Sequence, residues 1–289
     1  MRRAKSNLLH CPTPGFGWIS RSIMVDYGKA FKTPFVNVGN LFAGTFVLLG
    51  LMFLIFLIVF LVMFIVLGAT FVNPVDYLPI PILISVYLAT FLIEAAPYGF
   101  VFKYACNVSR KKFEIPSWSN FGSHFLNGIP LVIINVIYYI PIMIIYFFVL
   151  GSNPLNTAFS PEAQQAVAME MLARLPLIML VMLPLYLLMA YLIPIVLLRY
   201  AETKRFNEAF NFKVIFRKAF NSTYLTAWLL TAAISIGMFL VFYLALIIFA
   251  LLSLILIGIP LLITAIGMFT YLFPMITLGI LGQAYGEVK

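Results

Sequence analysis

Acidic side chains are scarce in this chain: Asp and Glu total 9, against 18 Lys and Arg, and charged residues of both signs make up only 9% of 289 residues. There are two histidines, His10 and His124, and two cysteines, Cys11 and Cys106. Each shortage excludes something. Two cysteines cannot make a disulfide framework, and the adjacent His10 and Cys11 fall short of the four ligands that structural zinc requires. No His-Glu-x-x-His, Gly-x-Ser-x-Gly or P-loop string is present, so the usual metalloprotease, hydrolase and nucleotide signatures are absent. The expectation is therefore a protein without catalytic residues, metal or cofactor, and not an enzyme. Residues 1–23 lack the apolar core of a signal peptide. They read as an irregular, poorly ordered cytoplasmic extension, with Met24 as a candidate start just before the first patterned segment.

Apolar residues are abundant. They make up 64% of the chain, and the mean hydropathy is +1.08, well above the roughly half-apolar composition of water-soluble domains. They fall in six long runs: Leu41–Gly68, Tyr77–Ala105, Ile129–Gly151, Leu172–Tyr200, Tyr224–Ile257 and Pro260–Leu281. Each is long enough for the roughly 20 residues that a membrane helix needs. The runs do not alternate apolar and polar residues, so helices rather than barrel strands satisfy the backbone in lipid. The expected fold is all-α, a six-span transmembrane bundle.

The basic residues set the expected orientation. Arg2, Arg3, Lys5, Arg21, Lys29 and Lys32 precede the first run; Lys103, Arg110, Lys111 and Lys112 follow the second; Arg199, Lys204, Arg205, Lys213, Arg217 and Lys218 follow the fourth; Lys289 ends the chain. All lie on one side of the threading, and only Arg174 lies on the other. The positive-inside rule makes that side cytoplasmic, with both termini there, and places the protein in the cell membrane. Anionic headgroups of the inner leaflet account for the net charge of +9 without a nucleic acid. On this face no disulfide is expected between Cys11 and Cys106, and the glycosylation strings at Asn107 and Asn221 are out of reach of modification.

Three segments repeat one pattern. Phe31-x3-Phe35 with Asn37, Phe121-x3-Phe125 with Asn127 and Phe216-x3-Phe220 with Asn221 each precede an odd-numbered run. A spacing of four puts both rings on one helical face. Tyr27, Ala30, Phe31 and Phe35 extend the first stripe, and Phe212, Ile215, Phe216, Ala219 and Phe220 the third. Lys29, Lys32, Lys213, Arg217 and Lys218 fall elsewhere on the wheel and are the candidate lipid-surface contacts. Such a helix lies in the membrane interface. Each even run carries a proline at a matching place: Glu94-Ala-Ala-Pro97, Tyr191-Leu-Ile-Pro194 and Tyr271-Leu-Phe-Pro274. A proline inside a helix frees the carbonyl four residues back. The pattern predicts one domain over 24–289 built from three parallel two-helix units, at about 24–112, 113–205 and 206–289, each preceded by an interfacial helix. In the one long outer loop, Ser160-Pro161-Glu162 reads as a helix start that carries the fourth span outward.

Glu94 is the one carboxylate inside a run, about 13 Å along the helix from Lys103. Such a residue ordinarily faces a bundle interior or water. With Tyr191 and Tyr271 at the corresponding places of the other units, it defines a candidate intramembrane polar site. Asn135 reads as helix-to-helix glue.

The string Pro116-Ser-Trp118-Ser-Asn-Phe121-Gly122, with MVDYGKAFKTPF before it and FPMITLGILGQAYG at the end, resembles the domain of unknown function 4013 family, polytopic membrane proteins of prokaryotes. The family pattern has acidic residues where Ser119 and Asn120 stand here. The resemblance implies the multi-span topology from Met24 to Gly286 and brings no activity with it. Two functional classes remain open. One is a non-enzymatic scaffold or accessory subunit contacting lipid or partner proteins; the other is a small channel or transporter using the Glu94 region.

Overall fold

The computed structural model describes residues 26–36, 38–72, 79–150, 161–253 and 258–288. The expected tail over 1–23 lies outside them. Among the described residues the chain is almost entirely helical, without a strand. The helices are α1 (Tyr27–Val36), α2 (Val38–Val72), α3 (Pro79–Ser109), α4 (Phe121–Leu150), α5 (Pro161–Thr203), α6 (Phe212–Ala219), α7 (Ser222–Ser253) and α8 (Gly258–Glu287). Short 3-10 turns at Trp118–Asn120 and Phe206–Phe210 lead into α4 and α6.

Among the described residues five stretches are long and apolar enough to cross a membrane: Gly39–Val62, Trp118–Tyr146, Leu172–Thr203, Ser222–Leu252 and Gly258–Glu287. The remaining expected span coincides with α3, where most side chains of the first half lie outside the described residues. α5 begins at Pro161 and runs unbroken to Thr203, 43 residues, so the fourth run and the helix start before it form one element.

α3, α5 and α8 touch one another, and the other long helices pack around them: α2 against α3 and α8, α4 against α3 and α5, α7 against α8. The buried side chains concentrate in the later halves of α3, α5 and α8, including Phe100, Tyr104, Ile195, Leu197, Leu198, Met275 and Ile276. The first halves of α5 and α8 carry exposed Leu and Ile, including Leu172, Leu180, Ile259 and Ile263, as helices facing lipid do.

Without a hydrophobic force between helices in lipid, close approach of backbones holds a bundle together. Gly99 on α3 and Gly128 on α4 meet backbone to backbone. A Cβ on Gly128 would lie 1.6 Å from the Ala95 carbonyl oxygen, and one on Gly99 1.9 Å from that of His124. α3 meets α8 the same way, with Gly282 against Ala105 and Gly286 against Ser109. Asn135 on α4 adds a hydrogen bond to the Tyr98 hydroxyl of α3, 3.1 Å.

Prolines stand inside α1, α3, α4, α5 and α8. Two of the carbonyls they free are taken up by aromatic donors from a neighbouring helix. Pro194 releases Ala190 O, which accepts from Trp228 Nε1 at 3.3 Å. Pro34 releases Ala30 O, which accepts from the Tyr104 hydroxyl at 3.4 Å. Two carbonyls at segment ends are served likewise: Ala209 O by Tyr138 (2.6 Å) and Ala219 O by Tyr191.

Candidate functional site

The polar side chains gather where α3, α5 and α8 end together. α3 closes with Lys111 in the left-handed region (φ 63), its N–H on Val108 O; α5 closes with Lys204 (φ 57), its N–H on Tyr200 O. Glycine is the usual residue at such a cap. Lysines there set positive charge against the negative ends of the helix dipoles.

Arg199 organises the centre. Its Nη2 and Nε reach Glu208 Oε2 at 2.6 and 3.1 Å, and its Nη1 lies 3.6 Å from Glu202. Glu202 also accepts from the Tyr285 hydroxyl of α8 at 2.7 Å. Lys218 of α6 lies 3.9 Å above the Tyr285 ring and donates to the Tyr285 (3.1 Å) and Val288 carbonyls. It thereby satisfies carbonyls that the end of α8 leaves open. Desolvation pushes the Lys218 amine down to about 8, partly offset by Glu202. At the rim, Lys111 pairs with Glu287 at 3.1 Å. Three carboxylates therefore join α3, α5, α8 and the turn before α6, and each already has a cation.

Cations remain in surplus. Arg110 has its Nη2 buried with no hydrogen-bond partner, and burial lowers its pKa. Lys103 and Lys204 are half-buried and make no ion pair among the described residues. Desolvation, then the positive charge of Lys103, brings Lys204 down to about 8. With each network carboxylate bound to a cation, the remaining positive charge suits contact with an anion. No group of three or more His, Cys, Asp or Glu able to hold a metal occurs among the described residues.

The residues singled out from sequence land as follows. Glu94 is exposed on α3, with no hydrogen bond or ion pair among the described residues. Tyr191 packs edge-on against Tyr224 and Trp228 and donates to Ala219 O. Tyr271 is buried beside Phe100 and Gly44, its hydroxyl unpartnered. No hydrogen bond or ring contact joins any two of the three. Lys29, Lys32, Lys213 and Arg217 are exposed, and Lys29 lies 4.6 Å above the Phe113 ring.

Lys218 differs from expectation. It is buried, not at the lipid surface, because the side of α6 bearing Ile215, Lys218 and Ala219 packs inward. A helical wheel assigns every charge to the outside, whereas the open carbonyls of α8 draw this one in. Nor does a separate helix precede α4: Phe121 and Phe125 lie on its own first turns. Cys106 is buried on α3; Cys11 lies outside the described residues.

Sequence reading passed over Arg199, Glu202, Glu208 and Tyr285. Its available signal was the Arg199–Glu202 spacing of three, which pairs side chains on one helix face. It placed Ala30, Phe31, Ala219 and Phe220 in aromatic stripes but passed over the Ala-Phe step they share with Ala209-Phe210. In each, the alanine is buried and its carbonyl accepts a tyrosine hydroxyl.

The Pro116–Gly122 string forms the turn into α4. Ser117 Oγ accepts from the Ser119 N–H, the Ser117 carbonyl binds His124 Nε2 at 2.9 Å, and Trp118 stacks on Phe100 with ring centres 3.9 Å apart.

Apolar helices of membrane-crossing length, packed through glycines and joined at one end by a charged network, define a helical membrane protein. Residues 82–250 match the model of a family described as Protein of unknown function (DUF4013). The chain belongs to that family. The Pro116–Gly122 string falls within the match, whereas MVDYGKAFKTPF and FPMITLGILGQAYG lie outside it. No curated protein and no solved structure matches the chain.

Proposed function

We propose that this protein is a six-span, non-enzymatic scaffold or accessory subunit of the cell membrane, with both termini cytoplasmic, that holds anionic lipid and a partner protein at its basic end. The observation that carries the reading is the outward side of α6. Phe212, Phe216 and Phe220 stack in a row, with ring centres 6.2 and 6.0 Å apart, and are exposed together with Lys213 and Arg217. α1 presents Phe31 and Phe35 beside Lys29 and Lys32 in the same way. Exposed rings next to exposed cations, on a helix too short to span, suit the headgroup layer.

Three parallel units are supported by the packing. Gly282 and Gly286 of α8 meet Ala105 and Ser109 of α3 in step, as helices running the same way do. α2 lies against α8 and α3, α4 against α3 and α5, and α7 bonds to α5 while packing on α8, so the first, third and fifth runs (α2, α4 and α7) each sit between two of the proline-bearing helices α3, α5 and α8. The exposed position of Glu94 favours contact with a partner over a conducting path, because a path needs the carboxylate at water inside the bundle.

The test is amide exchange of α6 in bilayers of phosphatidylcholine with and without phosphatidylglycerol. Added protection over 212–219 in the anionic bilayer, lost in Lys213→Ala/Arg217→Ala, is the expected result. Equal exchange in both bilayers would refute the interfacial role. A cysteine placed at Lys111 that reacts only from outside the cell would overturn the orientation.

A further inference from the structure

We infer that Lys103 and Lys204 together hold a phosphate-type anion between the ends of α3 and α5. The inference deepens the lipid-contact reading and rests on its assignment of this end of the bundle to the headgroup layer.

Two lysines occupy matching caps. Lys111, left-handed after α3, has Glu287 at 3.1 Å. Lys204, left-handed after α5, has no carboxylate. It is half-buried, with its Nζ 5.5 Å from the Tyr200 ring centre, and an aromatic face only partly replaces lost hydration. The positive charge of Lys103 acts on it from α3, a helix that packs against α5, and Lys103 is itself half-buried with no ion pair among the described residues. The network carboxylates are not to spare: Glu202 serves Arg199 and Tyr285, Glu208 serves Arg199, and Glu287 serves Lys111.

Two half-buried ammonium groups of like sign raise each other's energy unless an anion lies between them. The partial negative charge at the end of α5 amounts to about half an elementary charge, too little to balance two cations. Arg110, with its buried unpartnered Nη2, adds to the surplus on the same face. A phosphate group accepts from several ammonium donors at once, and membrane proteins bind anionic headgroups in basic pockets between helices on this side.

The test uses the full chain in two arms. In the first, it is released from nanodiscs of phosphatidylcholine and phosphatidylglycerol in equal parts, and retained lipids are counted by native mass spectrometry. In the second, its thermal midpoint in neutral detergent is measured with and without inorganic phosphate. If the anion is a headgroup, the wild type retains phosphatidylglycerol, Lys103→Gln and Lys204→Gln each weaken retention about tenfold, and inorganic phosphate has no effect. If it is free phosphate, inorganic phosphate raises the midpoint of the wild type and not of the double variant, while the two lipids are retained equally. Lys213→Gln/Arg217→Gln keeps the anion in either case, and its loss of α6 protection concerns the interfacial helix alone. Should the lysine variants not fold, acylation of wild-type amines decides: Lys103 and Lys204 are shielded by the anion and Lys213 is not. Neither lipid preference nor phosphate shift, variants equal to wild type in both arms, equal loss in Lys213→Gln/Arg217→Gln, or no selective shielding overturns the inference.

Discussion

Replacing Gly128 by alanine tests how this bundle is held together. The added methyl would stand 1.6 Å from the Ala95 carbonyl oxygen, where ordinary contact begins at 3.4 Å. What it meets is the backbone of α3, which cannot swing aside as a side-chain tip can. The two helices must part locally by about 1.8 Å, the shortfall from ordinary contact. A gap of 0.5–1 Å already forfeits roughly a quarter to a half of the dispersion energy between facing atoms. The separation would loosen the contacts around Leu131, Ile134 and Phe100 and stretch the Asn135–Tyr98 hydrogen bond. Overpacking of this kind costs about 1–3 kcal/mol, and the lost hydrogen bond about 1 kcal/mol more, so a total of roughly 2–4 kcal/mol is expected. Gly122 and Gly237 provide the control, since a Cβ on either meets nothing within 4 Å. Alanine there gains about 0.5–1 kcal/mol from helix propensity. Equilibrium unfolding in mixed dodecyl-sulfate and maltoside micelles compares the three. The expected signs are opposite: Gly128→Ala destabilises, and Gly122→Ala and Gly237→Ala stabilise slightly. If Gly128→Ala matched the two controls, backbone contact between α3 and α4 could not be what holds them.

Trp228→Phe leaves Ala190 O unpartnered and is expected to cost about 1–2 kcal/mol; in a Pro194→Ala background, which restores the helical N–H, the cost falls, and a double-mutant cycle with no coupling refutes the pairing. Arg199→Met strands Glu202 and Glu208 in a partly buried place and is expected to cost about 2–3 kcal/mol, read from the same unfolding curve, with Glu208→Gln costing less; equal losses would show that Arg199 acts through bulk alone. Lys218 and Lys204 are held at about 8 against an ordinary 10.5. The unfolded chain therefore binds more protons between those values, so stability in anion-free detergent rises with pH from about 8 to 10.5 and is lower below that window. Thermal midpoints across this range check it, and Lys204→Gln flattens the rise; a midpoint that falls through the window contradicts the burial of both amines.

The long apolar runs were legible because a lipid solvent demands length and hydropathy and little else. The start of α5 was legible because Pro161 is preorganised for a first helical turn. The direction each side chain faces was not. Periodicity fixes which residues share a side of α6 but cannot say which side meets protein, and Lys218 went inward because the end of α8 offered carbonyls that no local pattern announces. Glu94, Tyr191 and Tyr271 share a place in their helices, before a proline, yet their surroundings differ: Glu94 is exposed with no hydrogen bond or ion pair among the described residues, Tyr191 meets α6 and α7, and Tyr271 meets α2 and α3. Equal position along a helix does not imply equal surroundings when the neighbouring elements differ. The charged network was hidden for the same reason, since Glu202 and Tyr285 are 83 residues apart in the chain.

The Ala-Phe dipeptides at Ala30 and Ala219 show how a short helix can keep its rings exposed and still be fixed in place. Their alanines are buried, at 0–1% exposure, so the segment lies close against the bundle, and a larger side chain would lift it away. Close approach brings the alanine carbonyl within reach of a neighbouring tyrosine. At Ala30 the intrahelical donor is missing because Pro34 has no N–H; at Ala209 and Ala219 it is missing because the helical turn ends. An open carbonyl at a low-dielectric boundary costs more than one in water, and tyrosine, apolar in body and polar at its tip, suits that depth. The backbone supplies the attachment, so the phenylalanine that follows need not be buried: Phe31 and Phe220 are 37% and 84% exposed, whereas Phe210 stacks on Tyr138. A segment held by its main chain leaves its rings and cations exposed, as the proposed interfacial role requires.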